Sequence, residues 1–238
     1  MSSASPMERQ VTKSLRLALR GSEPALAAPL VAINWFDTRH APLYHLYNAL
    51  AARHVRRIGA RPLFKAELRE TLAGDACLAR RFLLIVRYPC GERFLDLLSS
   101  RRFQLLSLLR IMTVRRFSFV LHGQIESPAI DPLPAFPSDS SFAAHHFDSD
   151  ASLEEELLHI RSILPTHGVR LCFASRVAAT LASKGRGDQW RDIEFVTHKV
   201  ILFEAESATE LASFLRGDYS TFSGAVQNSF IGSLRRLL

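Results

Sequence analysis

"ESPAIDPLPAFPSDSS", residues 126–141, decides how the chain divides. Pro128, Pro132, Pro134 and Pro137 stand close together, with serines and an aspartate after them. Proline lacks a backbone N–H and its ring collides with the preceding helical turn. The stretch therefore continues neither a helix nor a central strand, and it reads as a linker. The patterns on its two sides run in the same order.

Before the linker, "LVAINWFDT" (30–38) predicts a strand. "PLYHLYNALAARHVRRIG" (42–59) predicts a helix, with Leu43, Tyr47, Leu50, His54 and Ile58 on one stripe and Gly59 as its stop. "ARPLFKAELRET" (60–71) is extended, and "RRFLLIVRYP" (80–89) is an apolar strand. "GERFLDLLSSRRFQLLSLLRIM" (91–112) is helical, in one piece or two, and "RRFSFVLHGQ" (115–124) is a strand. After the linker, "SFAAHHFDS" (141–149) is a strand, and "SLEEELLHIRSILPTHG" (152–168) is a helix opened by a capping box of Ser152 and Glu155. "VRLCFASRVAATLA" (169–182) is extended and "EFVTHKVILFEA" (194–205) is a strand. "SATELASFLRGDYSTFSGAVQ" (207–227) is helical, opened by Ser207 with Glu210; "NSFIGSLRRLL" (228–238) is a last strand or a helical end.

Both sides thus read β-α-β-β-α-β, the split βαβ or ferredoxin-like unit. "FD" recurs at 36–37 and 147–148, Gly59 and Gly168 close the first helices, and Arg61/Phe64 match Arg170/Phe173. The expected class is α+β. An N-terminal arm or helix (1–28) precedes a first unit (29–125), the linker (126–140) and a second unit (141–238). A sheet with helices on one face leaves its other face apolar, so two tandem units are expected to pair sheet to sheet as an intramolecular pseudo-dimeric α/β barrel.

The strand-turn-helix stretches "LIVRYPCGERFLDLLSSRRFQLLSLLR" (84–110) and "ILFEAESATELASFLRGDYSTF" (201–222) resemble the dimeric α/β-barrel superfamily. The nearest branches are the DUF1330-like, EthD-like and antibiotic-biosynthesis-monooxygenase ones. Pro89, Phe94, Ser100, Phe103 and Arg110 match the DUF1330-like pattern. In the second unit Tyr219 matches Phe103, but Val226 stands where Arg110 does, so a role for that arginine does not carry over. The resemblance implies a fold more than a chemistry. Its members include cofactor-independent monooxygenases acting on aromatic substrates, isomerases or cyclases, and haem-handling proteins.

With 238 residues and 47% hydrophobic content, the chain can bury a core. No apolar run approaches the ~18 residues that span a bilayer. The net charge of +7 permits an acidic partner. The arginines come in scattered pairs and no nucleic-acid motif appears, so no nucleic-acid partner is expected. Cys77, Cys90 and Cys172 are odd in number and contain no CxxC, which fits a reducing cytoplasm. "MERQVTKSLRLALRGS" (7–22) sets Val11, Leu15 and Leu19 at helical spacing among basic residues. It reads as an arm packed on the domain, or as a targeting or membrane-surface helix.

"AAHHFDSD" (143–150) resembles a metal motif. However, adjacent strand residues point to opposite faces, so His145 and His146 cannot share a site. Asp148 and Asp150 precede a helix, where carboxylates favour its N-terminus without a metal. Aligning the "FD" pairs puts Asn34 opposite His145 and Trp35 opposite His146. The candidate catalytic residues are His145, His146, Asn34, Trp35, Arg87 and Tyr88, and the candidate ligand-binding residues are His122, Arg176 and His198. A polar group on an apolar strand must find a partner or a ligand. The resemblance suggests that Asn34, Trp35, Tyr88 and a histidine orient and deprotonate a phenol, whose anion reacts with oxygen. A histidine suits that base role. "GRGD" (185–188) reads as a hairpin tip.

The expected function is a small-molecule tailoring enzyme of the cofactor-independent monooxygenase or isomerase kind. It would need no cofactor, and it would form a homodimer or work with a partner enzyme of its pathway. The alternatives are a non-catalytic binding or accessory protein, and a haem- or divalent-metal-dependent enzyme with an inner histidine as ligand.

Overall fold

The structure, a computed structural model, describes residues 27–122, 140–148, 152–164, 167–180, 199–224 and 227–237. The 7–22 stretch, most of the linker, the GRGD stretch, Asp150, Val226 and His198 lie outside the described residues. The chain is α+β. Its elements are β1 (Leu30–Thr38), α1 (Ala41–Arg57), β2 (Arg61–Gly74), β3 (Phe82–Tyr88), α2 (Gly91–Ser99), α3 (Arg101–Thr113) and β4 (Val114–His122). They are followed by β5 (Ser141–Asp148), α4 (Leu153–Ile163), β6 (Val169–Thr180), β7 (Lys199–Ala205), α5 (Ala208–Arg216), α6 (Asp218–Gly224) and β8 (Gln227–Arg236). The order β-α-β-β-α-β therefore occurs twice, with the second helical stretch of each half in two pieces. The tail, open between strand and helix, is strand β8.

By contacts the elements form two units. The first holds β1, α1, β3, α2, α3 and β4. In it β1 runs antiparallel between β3 and β4, with Asn34 level with Leu84 and Phe119. Helices cover one face: Leu30, Ala32, Val86, Tyr88 and Phe119 pack with Phe94, Val55, Ile58 and Phe103. The stripe of α1 is shifted from the expected one. Tyr44 and Ala51 are its buried residues, whereas Leu43 is 39% exposed. The sheet-facing line is 44, 47, 51, 55 and 58, so Leu43 lies one step round the helix from it.

The second unit holds β5, α4, β6 as far as Val177, β7, α5, α6, β8, and β2 from Leu63. β5 lies antiparallel between β7 and β8, β6 pairs with β7, and β2 pairs with β8. All seven residues of β7 (KVILFEA) are buried, as an apolar run covered on both faces requires. Both expected capping boxes form: Ser152 accepts from the Glu155 amide and Ser207 from the Glu210 amide. The two units share a bulge. Register shifts between Trp35 and Asp37 against β4, and between His146 and Asp148 against β8. Each falls at the "FD" pair of its unit.

The β2–β8 pairing brings a strand from before the linker against the last strand. At its end Gly74 has φ +86, and a Cβ there would stand 2.0 Å from the Ser229 carbonyl oxygen. The Asp75 amide donates to that same oxygen at 3.0 Å. Only glycine tolerates both the backbone conformation and this approach. Gly74→Ala is expected to lower stability by about 1–3 kcal/mol, measured by urea unfolding, because Cβ must push β8 away. An unchanged midpoint would show that the close approach is not made.

Candidate active site

Alternation along β5 sorts its side chains. Ala143 and Phe147 join the core formed with Leu157 and Ile160 of α4, Leu211 and Phe214 of α5, and Tyr219. His145 shares their side of the strand, and His146 looks the other way, with Phe230 at 6.4 Å between ring centroids. Both rings are buried.

His145 is enclosed and fully engaged. Its Nδ1 is hydrogen bonded to the Tyr219 hydroxyl at 2.6 Å, and its Nε2 to the Ser229 hydroxyl at 2.7 Å. The ring lies on Phe147, at 4.4 Å between centroids, and Tyr219 and Phe222 meet it edge-on. A neutral imidazole offers one donor and one acceptor, so one hydroxyl donates to it and the other accepts from it. Burial pushes its pKa down to about 3, because the enclosed site does not solvate an imidazolium. Burial, and then the charge of Glu156, hold the Tyr219 phenol protonated well above its ordinary value. Ser229 is the half-buried member of the set, and it therefore forms its outer end.

A second polar pair shares this layer. Lys199 donates to Glu156 at 2.9 Å, with both side chains buried, and its ammonium stands 5.8 Å from the centre of the Phe147 ring. Glu156 falls on the core stripe of α4 with Leu153, Leu157 and Ile160, and Lys199 keeps step with Ile201, Phe203 and Ala205 on β7.

The other expected residues do not join His145. The Asn34 amide donates to the Leu84 carbonyl at 3.1 Å in the first unit. Tyr88 packs edge-on against Phe94 at 4.8 Å, and burial raises its pKa. Trp35 is buried, on the opposite side of β1 from Asn34, and Arg87 is half-buried, level with Val31. His122 also stands level with Val31, on β4, and Arg176 is exposed, level with Lys199. Arg110, from the DUF1330-like pattern, lies over the Phe117 ring at 4.3 Å. Cys172 donates to Glu204 at 3.6 Å; burial and that carboxylate raise its pKa, which suppresses thiolate chemistry.

Tyr219, Ser229, Glu156 and Lys199, which surround His145 or its layer, are not among the residues the sequence points to. Glu156 and Lys199 carried a readable signal, each being a charge at a core-facing position of its own period. Ser229 carried none, because its partner is set by the β5–β8 register. A haem-type role needs a free imidazole nitrogen for iron. Both nitrogens of His145 are taken, so it does not fit that role. Among the described residues no three His, Cys, Asp or Glu side chains could hold a metal ion.

No family model and no curated protein matches the chain. Solved structures match at low identity. A provisionally named monooxygenase from Fusobacterium nucleatum is 11% identical, with a TM-score of 0.49, over 89% of this chain and 94% of that one. A mutant chlorite dismutase from Candidatus Nitrospira defluvii is 12% identical, with a TM-score of 0.48, over 89% of this chain and 94% of that one. A protein of unknown function from Rhodopseudomonas palustris is 14% identical, with a TM-score of 0.44, over 48% of this chain and 95% of that one.

His145 couples the stability of the protein to pH. Between its folded value near 3 and the unfolded value of about 6.5, only the unfolded chain binds the proton. Its contribution to stability is therefore complete above pH ~6.5 and falls by about 1.4 kcal/mol per unit of pH below it. Urea unfolding at pH 7 and pH 5 should show that His145→Gln has lost this slope. Equal slopes in the two proteins would contradict the enclosed neutral ring.

Glu156→Gln removes the buried carboxylate to which Lys199 donates and should cost about 3 kcal/mol or more. Glu156→Leu combined with Lys199→Met should recover much of that loss in thermal unfolding. A double variant no better than the single one would contradict the pairing.

Proposed function

We propose that the chain is a small-molecule tailoring enzyme of the proton-transfer type, acting as a cofactor-independent monooxygenase or isomerase, with Ser229, His145 and Tyr219 as its reacting set. The observation that carries this reading is a buried, neutral imidazole held by two hydroxyls, one of them at the half-buried edge of the layer. A phenol placed against Ser229 gives its proton to the serine oxygen as the serine proton passes to His145 Nε2. The imidazolium and the phenolate then form as a pair. The ring thus gains base strength only beside the anion it creates, since alone it stays neutral. Tyr219 orients the ring through Nδ1. For an anthrone-type phenol, the anion takes up dioxygen at its ring carbon, the imidazolium proton returns through Ser229 to the peroxide, and loss of that carbon's hydrogen with cleavage of the O–O bond leaves a carbonyl and releases water.

The repeated element order and the shared bulge support reading the chain as a tandem duplication of a ferredoxin-like unit. Asn34 occupies the His145 position in the first half, but its amide is spent on a backbone carbonyl. This supports a reacting set in the second half rather than the first.

A second reading, a binding or accessory protein without turnover, is favoured by the low pKa of His145, which also suits a purely structural hub. Oxygen uptake with dithranol, an anthrone-class phenol, separates the two. The enzyme reading expects uptake without added metal, with Ser229→Ala and His145→Gln lowering kcat about 100-fold while the proteins stay folded. Failure of the wild-type protein to consume oxygen and to isomerise a phenolic panel, or equal rates in the folded variants, would favour the second reading.

A further inference from the structure

In the first unit α1 and α3 pack against each other over the helix-covered face of the sheet. Their sides turned away from the sheet are apolar. Leu46 is 52% exposed, Leu105 68%, Leu108 48% and Met112 62%, with Leu43 beside them. Leu105, Leu108 and Met112 follow one another at helical spacing, so they form a continuous stripe. Large apolar side chains grouped in this way mark an interaction surface.

The two helices themselves carry charge of one sign. Neither α1 nor α3 contains an Asp or Glu. Exposed Arg53 and Arg56 lie on α1, and exposed Arg101 and Arg102 open α3. A pair of basic helices without acidic residues, bearing exposed leucine and methionine, disfavours several occupants. A second copy of the same face would bring like charges together. So would the chain's own 7–22 stretch, whose Arg9, Lys13, Arg16 and Arg20 outnumber its single Glu8. The α1–α3 face instead suits one large anionic plane. Arginines at the headgroups with leucines just below them is the arrangement by which a peripheral protein holds an anionic bilayer.

We propose that the outer face of α1 and α3 docks on an anionic membrane surface, with Leu105, Leu108 and Met112 entering the interfacial layer and Arg101 and Arg102 on lipid phosphates. No helix among the described residues is long and apolar enough to cross a membrane, so the contact proposed is with the surface. It is independent of the reacting set in the second unit.

The test is co-sedimentation of the full chain with vesicles. About 30 mol% phosphatidylglycerol in phosphatidylcholine supplies the anionic surface, and phosphatidylcholine alone is the control. The full chain should sediment with the anionic vesicles, stay in solution with the neutral ones, and be released by salt. L105E/M112E and R101E/R102E, with unchanged circular dichroism, should each weaken binding about tenfold or more. Absence of binding to the anionic vesicles, or variants that bind as the wild type does, would overturn the proposal. It would also be overturned if the chain instead forms concentration-dependent oligomers that the same variants dissolve. That result would assign the face to the acidic helix α4 of another copy, which presents Glu154, Glu155 and the exposed Leu158.

Discussion

Gly74 lets the backbone of β2 approach the Ser229 carbonyl more closely than any side chain would allow, and the site in the second unit depends on that approach. The Asp75 amide holds the same carbonyl, so Ser229 is fixed from the backbone side while its hydroxyl reaches His145. A strand from before the linker thereby sets the position of a hydroxyl near the end of the chain. The consequence is mechanical. Anything that moves β2 on β8 moves the outer member of the hydrogen-bonded set. This is why the glycine matters beyond the turn it makes.

Desolvation governs what surrounds that set. An imidazole, a phenol, a carboxylate and an ammonium all sit in the layer between the helices and strands of the second unit. Each is there because another answers it: His145 with two hydroxyls, Glu156 with Lys199. An unanswered polar group in that layer would cost about 1–3 kcal/mol, more if charged. The first unit handles the same positions with fewer polar groups. Asn34 replaces His145 and needs only a carbonyl, and Phe103 stands where the alignment places Tyr219. The two halves therefore share a backbone plan and differ in the chemistry their helix–sheet layers can hold.

The element order was legible because its signals are local. The linker prolines, the two capping boxes, Gly59 and the "FD" pairs all act within a few residues of themselves. The opposite facing of His145 and His146 was legible for the same reason, since alternation along a strand needs no tertiary information. The details set by partners were not legible. The stripe of α1 turned by one residue because Tyr44, not Leu43, meets Phe36 and Phe82. Tyr219 was visible only as the counterpart of a phenylalanine. Its hydroxyl gained meaning once α6 laid it on His145, and Ser229 had no sequence signal at all. Conversely, Arg87 and Tyr88 stood out as polar residues on an apolar strand. Tyr88 resolves into packing against Phe94.

The most direct measurement of the central claim is the protonation of His145, followed by long-range proton–nitrogen correlation spectra of the ring-labelled protein from pH 7 to pH 5. His145 is expected to hold a single neutral tautomer across that range, with both ring nitrogens hydrogen bonded and the pattern altered by Ser229→Ala. An imidazole that titrates near its ordinary value of about 6.5 would contradict it, because such a ring could not be enclosed between Tyr219 and Ser229.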